Sequence, residues 1–428
     1  MNPDVLKLNL KDVIEDVEKN LSNYLIDPTK NFTRKRKLDF STIMSLLIGM
    51  GGNTISKELW DYFGYSTTTV SASAFVQQRS KIKYQAIEDI FHSFVNKCDR
   101  QSLYKGYRLL AVDGSDVRLP TDKSEVFTYL ANDDTSEGYN LLHLDAMYDI
   151  LQHIYVDASL QSKIGMNEHS ALVSMIDRSK IQDKAIIIAD RGYTSFNNIA
   201  HCQEKNWSYI IRAKETYGIK YTVPHTETYD IDVMITLTRR QTKETRKLIK
   251  ENPERYRWIQ SHTTFDYIQP KSDAMYDLPI RIVRFKLSDT SFETIFTNLP
   301  REEFSADVLK ELYHLRWGIE TSFKELKYNV GLINFHSKKI EFIFQEIYAK
   351  LIMYNFSASI VYDQPIVQNK RTNFSKTITL CYAFFKEKLS SKTLLEMLIK
   401  TVSPIRSNRT FERKKKPKSA ISFAYRVS

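Results

Sequence analysis

Cysteine, long apolar runs and several common catalytic motifs are scarce or missing in this 428-residue sequence. The three cysteines, Cys98, Cys202 and Cys381, are odd in number and far apart, which predicts neither a disulfide framework nor a Cys/His zinc site. The longest apolar run, IMSLLIGM, is far shorter than the roughly 18 residues that span a bilayer. The charged N-terminus does not have the pattern of a signal peptide. We therefore expect a cytoplasmic protein with no membrane partner.

The composition narrows the classes of function further. No P-loop, dinucleotide fingerprint or nucleophilic serine or cysteine motif occurs. The formal net charge is +11, which favours a polyanionic partner, nucleic acid before membrane, although a merely basic soluble protein is an alternative. The chain is 42% hydrophobic and 12% aromatic, as in a globular protein, and is long enough for two or three domains.

The first 105 residues predict a helical DNA-binding domain. The segments TISKELWDYFG and STTTVSASAFVQQRSKI resemble a helix-turn-helix, with Gly64 and Ser66 at the turn. The second helix carries polar side chains suited to phosphates and base edges, among them Arg79 and Lys81. An ordinary helical hairpin is the alternative interpretation.

From residue 107 onward, the pattern changes to strands. Three strand-like runs, YRLLAVDGSDVRL, NLLHLDAMYDI and LQHIYVDASLQ, precede a helix, the aliphatic strand KAIIIAD, a second helix and the strand WSYIIRAK. This is the order of a ribonuclease-H-like α/β fold, a mixed five-stranded sheet with flanking helices. Strand-like pieces then separate the last strand from the next helix and predict a mostly β insertion.

The predicted organisation has five parts. They are a helical DNA-binding domain (1–105), the first part of the ribonuclease-H-like core (106–214), a β-rich insertion (215–297), the second part of the core with C-terminal helices (298–400) and a basic tail (401–428).

Three acidic residues fall at matching points of this topology. Asp113 lies in the first strand and Asp190 ends the aliphatic strand, where an unpaired buried carboxylate would be costly. Glu320 lies on the edge of the apolar stripe of the helix packed over them. The alternatives are a turn residue, a helix N-cap and an i,i+4 ion pair, respectively. Three carboxylates around one point favour two hard divalent cations, Mg²⁺ or Mn²⁺.

The stretch YHLRWGIETSFKELK gathers charges along the edge of its buried face. At about 100° per residue, Tyr313, Arg316, Glu320 and Lys327 fall within roughly 60° of one another. This spacing resembles the signature of DDE transposases from bacterial insertion sequences, specifically the insertion-sequence-four type. DGSDVRLP and ADRGY resemble the blocks around the first and second aspartates of that family.

This resemblance implies cut-and-paste DNA transposition in the bacterial nucleoid. Metal-dependent hydrolysis would cleave phosphodiesters at the transposon ends, and strand transfer would join the ends to target DNA. Asp113, Asp190 and Glu320 would bind the ions. Tyr313, Arg316 and Lys327 would hold phosphates of double-stranded DNA, at the terminal inverted repeats and the target. We also expect a homodimer in the DNA complex.

Further DNA contacts are expected beside this site. Arg212 and Lys214, at the end of WSYIIRAK, are expected to hold the transferred strand. Trp258 in the insertion could stack on a flipped base, as in some relatives, although a core role is the alternative. Two other interpretations stay open: a ribonuclease-H-like nuclease or resolvase without strand transfer, and a domesticated DNA-binding regulator without catalysis.

Overall fold

A computed structural model describes residues 1–98, 100–131, 138–213, 223, 227–288, 291–366, 369–405 and 424–425. The strands are β1 Tyr107–Leu119, β2 Tyr129–Leu130, β3 Tyr139–Asp149, β4 Ile154–Ser162, β5 Lys184–Ala189, β6 Ser208–Arg212, β7 Tyr229–Thr238, β8 Tyr256–Trp258, β9 Met275–Ser288, β10 Ser291–Thr297, β11 Asn334–Phe335, β12 Lys370–Thr372, β13 Val402–Pro404 and β14 Ala424–Tyr425. The α-helices are α1 Pro3–Glu18, α2 Phe40–Gly49, α3 Ile55–Tyr62, α4 Ala72–Arg79, α5 Gln85–Cys98, α6 Glu168–Arg178, α7 Phe196–Glu204, α8 Lys243–Glu251, α9 Ala306–Leu315, α10 Trp317–Lys324, α11 Ile340–Val361, α12 Phe374–Phe385 and α13 Ser391–Lys400.

One large mixed sheet forms the centre of the fold. Its strands lie in the order β2-β3-β1-β5-β6-β10-β9-β7-β8, with β4 paired to β3. The strands β1, β3 and β4 are antiparallel neighbours, whereas β5 and β6 run parallel to β1. β5 is buried on both faces, in agreement with its aliphatic sequence. The prediction of a mixed α/β fold is therefore confirmed, and these five strands have the predicted order and directions.

The segment that was predicted to be an insertion continues this sheet. Strand β10 pairs antiparallel with β6, bringing Ile295 opposite Arg212, and β9, β7 and β8 follow outward. Without β10, strand β6 would present an unpaired edge, which proteins avoid exposing. After β10 the chain continues into α9. Because β10 pairs with β6, α9 begins beside the central strands of the sheet.

The 22-residue helix α11 organises the helical part of the protein. It is buried along almost its whole length and is apolar on most sides, as expected for a helix surrounded by protein. The N-terminal helices α2 and α5 pack against it, and their apolar side chains belong to the same core cluster. Apolar residues on both sides of the predicted boundary near residue 105 therefore share one core cluster. Among the described helices, α11 included, none has the length and hydropathy of a membrane span.

The predicted helix-turn-helix corresponds to α3 and α4. The connection between them covers residues 63–71, longer than the three or four residues of the typical motif. On α4, Ser71, Ser73 and Gln77 are exposed, whereas Gln78 is buried. Only part of the predicted DNA-contacting face is therefore open to a ligand.

Arg79, at the end of α4, points into the interior and is 0% exposed. Its Nε donates to Gln345 Oε1 at 2.7 Å, and its Nη1 donates to Glu346 Oε1 at 2.9 Å. Its Nη2 donates to the carbonyl oxygen of Phe342 at 2.6 Å. The prediction that Arg79 contacts DNA is wrong, because the guanidinium is enclosed and all its nitrogens are bonded to α11.

Candidate active site

Two neighbouring parallel strands bring Asp113 and Asp190 together. Val112 of β1 pairs with Ala189 of β5, so Asp113 and Asp190 are the next residues along adjacent strands, which lie about 4.8 Å apart. Asp113 Oδ1 accepts a hydrogen bond from the Gly114 N–H at 2.9 Å. Asp190 Oδ1 accepts one from the Gly192 N–H at 2.7 Å and caps the 3₁₀ turn Arg191–Tyr193. Asp190 is therefore both an N-cap and a neighbour of Asp113, so the two interpretations are compatible.

The helix predicted over YHLRWGIETSFKELK is interrupted. The Arg316 N–H donates to the Tyr313 carbonyl oxygen, and the Ile319 N–H donates to the Arg316 carbonyl oxygen, both at 3.1 Å. These bonds span three residues, so the helix tightens between α9 and α10. After α10 it widens into a π-helical turn, Glu325–Asn329, and such turns are frequent at functional sites. Leu315, the last residue of α9, is 39% exposed.

Helix α10 packs over β1 and brings Glu320 towards Asp113. The buried side chains of Ile319 and Phe323 anchor the helix. Ser322 Oγ donates to the Tyr155 hydroxyl of β4 at 2.8 Å. Glu320 lies on the partly exposed edge of this contact, with its side chain 24% exposed.

Arg316 links the strand carboxylate to the helix carboxylate. Its Nη1 is 3.6 Å from Asp113 Oδ2, and its Nη2 donates to Glu320 Oε1 at 2.8 Å. Burial raises the pKa of Asp113 to about 6; Arg316 opposes this rise, and the nearby charges of Asp190 and Glu320 add to it. Burial disfavours the charged form of Arg316, but Glu320, Tyr313 and Asp113 outweigh it and raise its pKa. The charges of the three carboxylates thus influence one another, and Arg316 is the cation that pairs with two of them.

Lys327 is also held by β1. Its Nζ donates to Ser115 Oγ and to the Asp116 carbonyl oxygen, each at 2.7 Å. Burial lowers the pKa of Lys327. The Tyr313 ring lies 5.9 Å from the Arg316 guanidinium. Of the predicted row, Arg316 approaches Asp113 directly and Lys327 contacts the two residues that follow Gly114 on β1.

Comparison with protein families shows which family the chain belongs to. A family model described as the transposase DDE domain matches residues 104–356, more than half of the chain. The chain belongs to this family. Its process is DNA transposition. Asp113, Asp190 and Glu320 all lie within the matched residues.

Two further comparisons were made. A search of curated proteins finds no match to the chain. Among solved structures, the chain is similar to a piggyBac transposase synaptic complex with hairpin DNA, determined by cryo-EM, with a TM-score of 0.42 and 9% sequence identity. That alignment covers 97% of this chain and 88% of the other.

The donor atoms at this candidate site suit hard divalent cations. Asp113, Asp190 and Glu320 offer carboxylate oxygens, the ligands that Mg²⁺ and Mn²⁺ prefer. The side chains of Asp113 and Glu320 are 25% and 24% exposed, so both can be reached from solvent. The mutual repulsion that helps to raise the pKa of Asp113 is relieved by a cation. The residues present therefore fit a metal site.

The remaining predicted DNA contacts are dispersed. Arg212 ends β6 with its Nε 3.1 Å from Glu293 Oε1. Lys214 lies outside the described residues. Lys81 is partly exposed, and its Nζ donates to Gln78 Oε1 at 2.6 Å. Trp258 is 42% exposed, so a core role is excluded, and it shares a shallow pocket with side chains of α8 and of the connection that leads into α8. Those side chains are Arg240, Gln241, Arg246 and Ile249.

A second cluster of chemically active side chains was missed by sequence reasoning. His143, Asp145 and Glu168 each offer a ligand atom, and these atoms all lie within 4.8 Å of one another. The available signal was the alternation in LLHLDAM, which places His143 and Asp145 on one face of β3. Glu168 comes from α6, and its approach depends on the packing of that helix.

Proposed function

We propose that this transposase cleaves and joins DNA by metal-dependent phosphoryl transfer at Asp113, Asp190 and Glu320. The observation that carries the proposal is the placement of these carboxylates, two on adjacent parallel strands and one on the helix above them. Two Mg²⁺ or Mn²⁺ ions held there would activate the attacking oxygen and stabilise the leaving oxygen. The protein supplies the fixed ligands and the cationic groups around them.

Arg316 exchanges partners during this reaction. In the DNA-free protein its guanidinium neutralises Asp113 and Glu320. When these carboxylates are occupied by ions, Arg316 turns to a DNA phosphate, which its planar fork can bind with two hydrogen bonds. Lys327, held by Ser115 of β1, and Tyr313, whose ring lies beside the Arg316 guanidinium, hold the neighbouring DNA backbone.

The N-terminal helices hold the transposon end through an exposed basic loop. Residues 34–37 read Arg-Lys-Arg-Lys, and all four are exposed. Lys37 Nζ donates to the Thr68 carbonyl oxygen at 2.6 Å, which fixes this loop beside the connection into α4. The exposed side chains of Ser73 and Gln77 complete the surface. Phosphate contacts of this kind make binding strongly dependent on salt.

The finer assignments are part of the same proposal. The Tyr313, Arg316, Glu320 and Lys327 spacing supports the insertion-sequence-four type from a bacterial element, a cut-and-paste pathway in the nucleoid and a homodimer on paired ends. The exposure of Trp258 beside Arg240 and Arg246 supports stacking on a flipped base. Arg212 holds the transferred strand, and the domain boundaries at 105, 214, 297 and 400 are retained as predictions.

Cleavage of the DNA that flanks the gene tests this proposal. Asp113→Asn, Asp190→Asn and Glu320→Gln should each abolish cleavage of a plasmid carrying both flanks in Mg²⁺, with DNA binding retained. Glu311→Gln is the matched control, because Glu311 is exposed on α9 and should leave the rate unchanged. A variant of the three that still cleaves near the wild-type rate would remove that residue from the site.

Joining distinguishes a transposase from a nuclease of the same fold. Pre-cleaved ends with a free 3′-hydroxyl should be joined to a target plasmid by the wild-type protein. Cleavage without any joined product would instead favour the nuclease or resolvase interpretation.

A further inference from the structure

We propose that His143, Asp145 and Glu168 bind one divalent cation, Zn²⁺ or Mn²⁺, at a second site behind Asp113. This site uses none of the carboxylates assigned to DNA cleavage, and it does not depend on that assignment. It joins β3 to the start of α6.

The second site lies on the opposite face of the sheet from Asp113. Along β1, Gly114 pairs with Asp145 and Asp116 pairs with His143, whereas Asp113 pairs with Ala146. Successive residues of a strand point to opposite faces, so Gly114 and Asp116 face away from Asp113. A Cβ placed on Gly114 would come within 2.3 Å of His143 Nε2 and 2.8 Å of Glu168 Oε1. The space for the site exists because Gly114 has no side chain.

The separations of the donor atoms suit a tetrahedral ion. His143 Nε2 is 3.4 Å from Asp145 Oδ1 and 3.2 Å from Glu168 Oε1. A tetrahedral zinc ion with its usual bonds of 2.0–2.1 Å holds neighbouring ligands about 3.3 Å apart. One imidazole nitrogen and two carboxylate oxygens form a donor set used for Zn²⁺ and also acceptable to Mn²⁺.

Two of these donor atoms are buried without a hydrogen-bond partner. His143 is 4% exposed and Asp145 is 0% exposed. Among the described residues, neither His143 Nε2 nor Asp145 Oδ1 has a hydrogen bond of good geometry, although Nε2 lies within ion-pair distance of Asp145 Oδ1 and Glu168 Oε1. Buried polar atoms without a hydrogen bond are rare, because each one lowers the stability of the folded protein by about 1–3 kcal/mol. A cation between them supplies the missing partner to both.

The surrounding contacts orient the donors as metal sites do. His143 Nδ1 lies 2.7 Å from Asp116 Oδ1, which leaves Nε2 to face the site. Metal-binding histidines usually donate their other ring N–H to such a carboxylate. Gln161 Nε2 donates to Asp145 Oδ2 at 2.6 Å, which leaves Oδ1 to face the site.

A proton on His143 is the competing occupant of this space. Burial opposes the imidazolium, but the contacts with Asp116, Asp145 and Glu168 raise the pKa of His143 to about 11 when no ion is present. Three carboxylates then face only two cations, His143 and Lys163, whose Nζ is 2.9 Å from Asp116. With Lys163 still in place, a divalent ion and a neutral imidazole together match the charge of the three carboxylates, so exchanging the proton for an ion neutralises the cluster.

The test uses a full-length background variant that cannot bind ions at the cleavage site. It carries Asp113→Asn, Asp190→Asn and Glu320→Gln, and its Zn²⁺ and Mn²⁺ content is measured by equilibrium dialysis with elemental analysis. We expect one ion per chain. Adding His143→Gln or Asp145→Asn should lower the affinity at least tenfold.

His201→Gln is the matched control for the histidine variant. His201 also lies between two carboxylates, 2.9 Å from Asp177 and 2.9 Å from Asp266, and both of its ring nitrogens are already bonded. This variant should keep the ion. Gly114→Ala fills the site without removing a ligand, and this variant should lose the ion. It gives a second test of the site if the ligand variants do not fold.

Two results would overturn the proposal. One is a background variant that binds no ion at millimolar Zn²⁺ or Mn²⁺, which would leave His143 as a buried imidazolium. The other is an ion that persists in both Asp145→Asn and Gly114→Ala, which would place it elsewhere on the chain. Loss of DNA cleavage plays no part in either result, so failure here is distinct from failure of the proposed function.

Discussion

Two arginines that sequence reasoning assigned to DNA differ sharply in their surroundings. Arg79 is 0% exposed, and all three nitrogens of its guanidinium donate to α11. Its partner Glu346 is buried and also accepts from the His336 N–H at 2.9 Å. Arg316 is 7% exposed, but its partners Asp113 and Glu320 are each about a quarter exposed. Its Nε has no hydrogen-bond partner among the residues that the structure describes.

The difference shows that burial of a cation does not by itself decide its role. Arg79 is completely bonded to groups that solvent and ligands cannot reach, so it can only serve the fold. Arg316 is incompletely bonded to carboxylates that an ion can reach, so its partners can change. Arg79 has complete bonding to inaccessible partners, whereas Arg316, which we propose to serve the active site, has incomplete bonding to partners that solvent reaches.

Among the tests of this comparison, we expect the largest effect on the free energy of unfolding, when Arg79 is replaced. Arg79→Ala leaves the Glu346 charge buried without its partner, and we expect the free energy of unfolding to fall by about 3–5 kcal/mol. Urea unfolding of the full chain measures it, with Lys81→Ala as a partly exposed control expected within about 0.5 kcal/mol of wild type. An unchanged unfolding midpoint together with weaker DNA binding would reverse the assignment of Arg79.

Acid should remove part of the same stabilisation. Burial disfavours the Glu346 carboxylate, but Arg79 and His336 lower its pKa from the ordinary 4.5 to about 2. Because the folded-state pKa is depressed, this contribution is complete above about pH 4.5 and is lost as pH falls towards about 2. Thermal midpoints measured from pH 6 to pH 3 should fall less steeply in Glu346→Gln than in wild type. Equal slopes would mean that Glu346 does not carry the acid sensitivity.

The smallest expected effect concerns Arg316 itself. A charge-assisted phosphate contact contributes about 1.5–3 kcal/mol, so Arg316→Ala should slow cleavage by roughly ten- to a hundred-fold. The unfolding midpoint should change less than in Arg79→Ala, because Asp113 and Glu320 are each about a quarter exposed, whereas Glu346 is buried. The half-saturating Mg²⁺ concentration should not rise, since no guanidinium then occupies the carboxylates. A variant that needs much more Mg²⁺ but regains the full rate at saturation would make Arg316 part of the ion site.

The sequence by itself determined the order of strands and helices and the three carboxylates of the candidate site. The aliphatic run of β5 and the alternation along β1 and β3 are local patterns, and local patterns reflect the face that each residue buries. Asp113 and Asp190 could be placed together because the order of strands in the predicted topology makes them neighbours. Glu320 followed from the apolar stripe of one helix.

Only the tertiary structure decided which polar groups are enclosed and what meets them. Arg79 is buried because its side chain bonds to residues of α11, more than 260 positions away in the chain. His143 and Glu168 meet because α6 covers the face of β1 where Gly114 leaves space. The pairing of β10 with β6 likewise joins segments that are distant in sequence. The periodicity of a segment shows which of its faces is buried. It does not show which other segment covers that face, so such contacts cannot be predicted from local patterns.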